Sequence, residues 1–159
     1  MLAEKRVVMK RIILVIVLLV ILIGVIVSFL AKPEPDALLK RARRKFDAGQ
    51  FDKAKPELLK VYQRAKLSSG PRCEAKIFYA TCFVRENDFV TASRELNTFI
   101  KEYPNSFWTP QAYFDLAYCY RNLNNLPAAV KLYHLIIKEF PTTAWAKYSQ
   151  ERLNELKSK

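Results

Sequence analysis

Glycine, histidine and cysteine are scarce in this chain, and each scarcity excludes something. Three glycines among 159 residues, against eight prolines, argue against a barrel or a sandwich, which need many tight turns. The single histidine, His134, leaves no histidine cluster for a metal, so we expect no metal site. Cys73, Cys82 and Cys119 lack close CxxC-type spacing. We expect packed free thiols, with a bridge between Cys82 and Cys119 as the alternative.

Motifs for catalysis are also missing from the sequence. There is no glycine-rich phosphate loop and no GxSxG turn, and carboxylate pairs such as Glu86 with Asp88 are typical of charges at helix ends. We therefore expect neither an enzyme nor a cofactor, and no small-molecule substrate.

Positive charge is in excess and unevenly distributed. Lys and Arg number 27 against 15 Asp and Glu, a formal net charge of +12. Residues 32–72 contain twelve basic and five acidic side chains, whereas residues 73–159 contain eleven and nine. A nucleic-acid protein usually spreads its basic residues over a face with aromatic or polar readers, so we expect no nucleic-acid partner. We expect the cluster to contact anionic lipid or an acidic partner, a solvated helix face being the alternative; it comprises Lys40, Arg41, Arg44 and Lys45.

Apolar residues form one long run near the amino end. No charged residue lies between Arg11 and Lys32, and residues 12–31 would extend about 30 Å as a helix, the thickness of a bilayer's hydrocarbon core. This predicts an uncleaved transmembrane helix, a cleaved signal peptide being the alternative. Basic residues beside the run favour an amino end in the cytoplasm. The predicted division is a basic tail (1–11), an anchor (12–31), a proline-rich linker (32–35) and a folded domain (36–159).

A repeat of 37 or 38 residues runs through the folded domain. Ala54, Ala92 and Ala129 are separated by these intervals, and a second alanine precedes each of them by twelve positions. Such self-similarity is the signature of stacked structural units. The preceding alanines are Ala42, Ala80 and Ala117.

Each unit has the pattern of two helices. In residues 111–122 and again in 126–139, apolar residues recur at intervals of three and four, which indicates one buried face per helix. Asn125 can cap the second of these helices, and Pro127 fits its first turn. Residues 144–157 predict a final capping helix, with Trp145 facing inward and Arg152 on the polar outer face.

The repeat resembles the tetratricopeptide repeat, in which aromatic, Leu, small, Tyr, Ala, aromatic and Pro positions follow one another. The unit that carries the resemblance is Tyr113, Leu116, Ala117, Tyr120, Ala129, Tyr133 and Pro141. Residues 73–106 match less fully and residues 35–68 match most weakly. The resemblance implies an all-α fold, a right-handed α-solenoid of about three helix-pair repeats plus a C-terminal capping helix.

A lengthening after Pro104 is similar to that of periplasmic members of the family. These include the Tol–Pal-associated cell-division coordinator and the lipoprotein component of the outer-membrane barrel assembly machine. With the apolar run, this similarity leads us to predict a single-pass protein of the inner membrane whose repeat domain lies in the periplasm.

The resemblance also implies a concave groove, lined by the first helix of each pair, as the site for a protein partner. Phe114 and Tyr118 lie off the packing stripe of their helix, although they could instead pack on a neighbouring helix. The predicted lining is Arg43, Phe46, Ile77, Thr81, Arg85, Phe114, Tyr118, Arg121 and Asn122.

These observations predict a membrane-anchored scaffold that binds its partner in the groove, as an adaptor in a bacterial cell-envelope assembly complex. One alternative is a cytosol-facing receptor whose basic first helix binds acidic peptides or anionic lipid. A second alternative is an accessory subunit of a larger membrane complex.

Overall fold

The structure, a computed structural model, describes residues 2–30, 34–66 and 70–157. Contacts divide the chain into two compact units, Met1–Glu34 and Pro35–Lys159. Residues 32 and 33 of the predicted linker lie outside the described residues. The predicted boundaries of the tail, the linker and the folded domain stay predictions.

The first unit contains one helix, α1 (Leu2–Leu30). Its side chains are described for residues 9–11 and 13–25, and the apolar stretch 13–25 is exposed. None of the helices among the described residues is long and apolar enough to cross a membrane. This finding contradicts the predicted transmembrane helix at 12–31 and, with it, the predicted single-pass location in the inner membrane.

The described part of the second unit consists of seven helices and their turns. They are α2 (Pro35–Asp47), α3 (Phe51–Arg64), α4 (Gly70–Arg85), α5 (Phe89–Glu102), α6 (Thr109–Asn122), α7 (Leu126–Glu139) and α8 (Ala144–Lys157). The predicted all-α repeat solenoid, with three helix pairs and a final helix, is confirmed.

The turn inside each helix pair uses the same backbone conformation. Gly49, Asn87 and Asn124 have φ values of 70°, 62° and 60°, in the left-handed region that glycine and asparagine tolerate best. In each pair the second helix begins two residues after this left-handed residue. Asp88 and Asn125 cap those helices, accepting hydrogen bonds from the backbone amides of residues 91 and 128. The turns therefore follow the period of the alanines.

The first helices of successive pairs pack on one another. Contacts join α2 to α4, α4 to α6, and α6 to α8, whereas α3, α5 and α7 make none with each other in the described residues. A stack whose first helices lie closer together than its second helices curves toward the first helices. The concave side of this unit is therefore lined by α2, α4, α6 and α8.

The two alanines of each helix pair lie in the same core cluster, between the helices of that pair. All six alanines of the repeat pattern are fully buried, with no exposed surface: Ala42, Ala54, Ala80, Ala92, Ala117 and Ala129. Larger side chains such as Phe99 and Tyr133, both fully buried, fill the space beside them. A single methyl group at each seam sets the distance between the helices, because the interior leaves no room for more.

Replacement of Ala117 by Leu is expected to lower the free energy of unfolding by about 1–3 kcal/mol, because three added carbons must be accommodated at a closed helix seam. The measurement is urea unfolding followed by helical circular dichroism. Ala144→Leu, at an exposed position at the start of α8, is the control and should leave stability nearly unchanged. Equal effects from the two substitutions would mean that the seam is misplaced.

Candidate functional site

A concave pocket of about 410 Å³ opens among the first helices of the last two pairs and the final helix. We call it the α6 pocket. Its lining comprises Thr81, Val84 and Arg85 from the carboxyl end of α4, Asn87 from the turn that follows, Gln111, Phe114, Asp115, Tyr118 and Arg121 from α6, and Trp145 and Arg152 from α8. Five of the eleven residues come from α6, because this helix lies between α4 and α8 and presents one face to both.

Aromatic side chains form one wall of the α6 pocket. Phe114 is half-buried and its ring centroid lies 5.3 Å from that of Trp145 and 5.8 Å from that of Tyr133. Tyr118 packs edge-on against Phe89 at 5.7 Å. Ring contacts of this kind hold the rings in place, so the wall is formed before any ligand arrives.

Three arginines surround the same pocket. The guanidinium of Arg121 lies over the ring of Tyr118, 5.5 Å from its centroid, and 3.8 Å from Glu155. Arg152 is more closely paired, with its Nη1 at 2.6 and 2.8 Å from the two Glu155 oxygens. Arg85 is exposed at the end of α4. Positive charge therefore predominates in the lining.

Asp115 is the one acidic residue in the pocket lining. Burial raises the pKa of its carboxyl to about 6, and a weak 3.5 Å hydrogen bond from Gln111, the charge of Arg85 and the Thr81 hydroxyl offset this only in part. The carboxyl consequently takes up a proton as the pH falls through about 6, which removes the one negative charge of the pocket lining.

The α6 pocket brings together five of the nine residues predicted for the groove: Thr81, Arg85, Phe114, Tyr118 and Arg121. Ile77 is only 1% exposed and packs in the core, so its side chain is closed to a ligand. Asn122 is exposed outside the pocket and donates a hydrogen bond to the Tyr118 carbonyl at 2.8 Å.

The other two predicted groove residues lie on α2. Arg43 pairs with Glu74 at 2.8 Å, and its guanidinium lies 4.9 Å from the ring centroid of Phe78. Phe46 packs against Phe78, with ring centroids 4.9 Å apart. Neither residue reaches the α6 pocket. The structure thus divides the predicted groove between two ends of the stack.

Six pocket residues were absent from the sequence prediction: Val84, Asn87, Gln111, Asp115, Trp145 and Arg152. Asp115 lies one turn after Gln111 and three residues before Tyr118, so helical spacing alone could have added it to that face. Arg152 was assigned to the outer face of the capping helix. Its position seven residues after the inward-facing Trp145 places it on the same side, which is a signal the sequence did contain.

The basic cluster on α2 is partly neutralised within the fold. Glu57 on α3 is 5% exposed and pairs with Arg41 at 2.5 Å and with Lys45 at 2.6 Å. Burial alone would raise the pKa of Glu57, but hydrogen bonds and charge from the two basic side chains outweigh it and lower the pKa below its ordinary value. Lys40 and Arg44 are exposed. The predicted contact of this cluster with lipid or an acidic partner stays a prediction.

All three cysteines are free thiols. Cys82 and Cys119 are fully buried, and burial raises the pKa of each to about 12, so neither is a reactive thiolate near neutral pH. In the part of the chain that the structure describes, no three His, Cys, Asp or Glu side chains are grouped so that they could hold a metal ion.

Comparison with known proteins agrees with this geometry. Residues 111–143 match the family model of the tetratricopeptide repeat. The fold is similar to the crystal structure of the TPR domain of Arabidopsis FLU, with a TM-score of 0.59 and 21% sequence identity over 69% of this chain and 96% of that one. No curated protein matches the chain.

The second unit therefore has the fold of a tetratricopeptide-repeat domain, and residues 111–143 match the model of that repeat. The predicted resemblance to this repeat family is confirmed. The finer resemblance to periplasmic members stays a prediction.

Replacement of Glu57 by Gln is expected to lower the free energy of unfolding near neutral pH by about 1.5–3 kcal/mol, because charge-assisted hydrogen bonds to a buried carboxylate are lost. The folded state lowers the pKa of Glu57, so this stabilisation is complete above the ordinary carboxyl pKa and disappears as the pH falls through the lower, folded value. Urea unfolding at about pH 7 and about pH 3 measures the difference.

Asp52→Asn is the matched control for this experiment. Asp52 pairs with Lys55 at 3.3 Å, but its side chain is 93% exposed, so its ion pair is screened by water and should contribute little. A loss of stability that is equal for the two variants, or unchanged between the two pH values, would contradict the assigned role of Glu57.

Proposed function

We propose that this protein is a scaffold that holds a segment of a protein partner in the α6 pocket. The observation that carries the proposal is the fixed aromatic wall of Phe114, Tyr118 and Trp145 beside Arg121 on the concave side of the repeats. Trp, Tyr and Arg are the residue types that dominate binding energy at protein interfaces, especially in pockets that exclude water. The proposed role is that of an adaptor, without a catalytic step of its own.

Preorganisation of the wall supports this choice. Phe114 contacts Tyr133, Trp145 and Tyr148, with centroid distances between 5.3 and 6.2 Å. A partner would therefore not need to order these side chains on binding, which removes part of the entropic cost of association. The pocket also lies at the end of the stack where α4, α6 and the final helix α8 meet, so a segment can contact more than one repeat at once.

The basic helix α2 is a weaker candidate for partner binding. Arg41 and Lys45 are both engaged by Glu57, and Arg43 is engaged by Glu74. An acidic peptide or an anionic lipid would have to compete with these ion pairs or rely on the exposed Lys40 and Arg44. We therefore favour the α6 pocket.

Site-specific photo-cross-linking in cells that express the full chain tests the proposal. A photoreactive phenylalanine analogue at position 118 should form cross-links to one segment of a partner, which mass spectrometry can map. The matched position is Val90 on α5, which is 66% exposed and outside the pocket. Cross-links from position 90 with none from position 118 would place the partner on another face.

Substitution adds a second readout to the same experiment. Tyr118→Ala with Arg121→Ala should abolish the cross-link from a photoreactive group at position 85, because both side chains form the pocket wall. Helical circular dichroism should be unchanged, since Tyr118 and Arg121 are only half-buried. An undiminished cross-link in a folded double variant would exclude these residues from the partner site.

A further inference from the structure

The charge pattern of the α6 pocket is unusual for its size. Three arginines and a single carboxylate line it, and the carboxylate is the group that burial disfavours in its charged form. The arginines are not equivalent, because Arg152 is held by Glu155 at 2.6 Å whereas Arg121 is 3.8 Å from the same carboxylate. Arg85 forms no ion pair with any of the described residues. The guanidinium of Arg85 is thus available to a ligand, and that of Arg121 is held only by the longer ion pair.

We infer that the α6 pocket binds an acidic peptide segment with a large apolar side chain, its carboxylates on Arg85 and Arg121 and its apolar group on Phe114 and Trp145. This inference rests on the proposed function, since it names the chemistry of the segment held in that pocket. All three lining helices contribute side chains to this site. The guanidinium groups come from α4 and α6, and the aromatic surface comes from α6 and α8.

Arg121 is suited to receive a carboxylate. Its guanidinium is held over the ring of Tyr118, so the planar fork is oriented before a ligand binds. Two parallel N–H groups can then donate to both oxygens of one carboxylate. Tyr118 is itself fixed by Phe89. The orientation of Arg121 therefore depends on the same packing as the aromatic wall.

Asp115 opposes such a ligand. When ionised, it repels a carboxylate and offsets the attraction of Arg85. The groups that act on its carboxyl are Arg85 and Thr81 from α4 and Gln111 and Cys119 on α6, while Arg121 from α6 and Arg152 from α8 line the same pocket. Neither α5 nor α7 contributes a residue to the pocket lining. Since the pKa of Asp115 is about 6, affinity for an acidic segment should rise as the pH falls through this value.

The test uses the full chain and three fluorescein-labelled hexapeptides of alternating pattern, all amide-capped so that no terminal carboxylate contributes. One contains Glu and Phe, the second has Gln in place of Glu, and the third has Lys. Fluorescence anisotropy at about pH 7.5 should give roughly tenfold tighter binding of the Glu peptide than of the Gln peptide, the equivalent of one or two charge-assisted contacts. The Lys peptide should bind most weakly.

Three variants locate the binding site. Arg85→Gln and Arg121→Gln should each weaken binding of the Glu peptide several-fold while leaving the Gln peptide unaffected. Arg44→Gln, an exposed arginine on α2, is the matched control and should have no effect. Asp115→Asn should tighten binding at about pH 7.5 and remove the increase in affinity that the unchanged chain shows on going to about pH 5.5, where glutamates of the peptide are still ionised.

Equal affinity for the Glu and Gln peptides would overturn the inference, and so would a loss of binding in Asp115→Asn. A loss in Arg44→Gln with none in Arg85→Gln would also overturn it and would place the segment on α2. The cross-linking experiment tests the proposed function separately. A cross-link from position 118, together with no preference for acidic peptides, would retain the pocket as a partner site and reject only its acidic ligand.

Discussion

Close approach of two helices at an alanine is the constraint on which the rest of this structure depends. In each pair, one fully buried alanine on the first helix and one on the second leave space for little more than a methyl group. Closely packed interiors transmit such restrictions to their neighbours, so the surrounding rings and aliphatic side chains must occupy defined places. The spacing between helices, and hence the regular stacking of the pairs, follows from this small residue repeated at 37 or 38 positions.

The concave surface is a consequence of that stacking. The first helices contact one another along the stack and the second helices do not, which directs one face of α4, α6 and α8 toward a common space. On α6 this face carries Phe114, Asp115 and Tyr118, while Ala117 is buried in the core, against which Phe114 also packs. One helix therefore contributes both to the core and to the lining of the pocket.

The fold shifts the pKa of two of its carboxyl groups in opposite directions, lowering that of Glu57 and raising that of Asp115. Glu57 is buried and paired with two basic side chains, so its ionised form is stabilised and it fastens α2 to α3. Asp115 accepts only a weak hydrogen bond from Gln111 and feels the charge of Arg85 without a direct ion pair, so burial prevails and its pKa is raised to about 6. The difference lies in geometry, because a direct charge-assisted hydrogen bond outweighs desolvation and a more distant charge does not.

The sequence by itself determined the helices, their pairing and the seams between them. These features depend on spacing along the chain: alanines at a constant interval, apolar residues at three and four, and a Gly or Asn at the end of each first helix. Such local and periodic signals can be recognised in the sequence without knowledge of the tertiary contacts. The groove was only half predictable. Five of its predicted residues line the α6 pocket, because Thr81 and Arg85 share one face of α4 and Phe114, Tyr118 and Arg121 share one face of α6.

Only the tertiary structure decided which side chains meet across helices. Ile77 was predicted for the groove but is buried, because α4 packs on α2, α5 and α6 and little of its surface remains open. Spacing within α8 places Arg152 on the same face as Trp145, but only the packing of α8 on α6 shows that this face lines the pocket. The raised pKa of Asp115 likewise arises from enclosure by three helices. Periodicity specifies the face that each helix presents, but the neighbours of that face are set by how the helices pack.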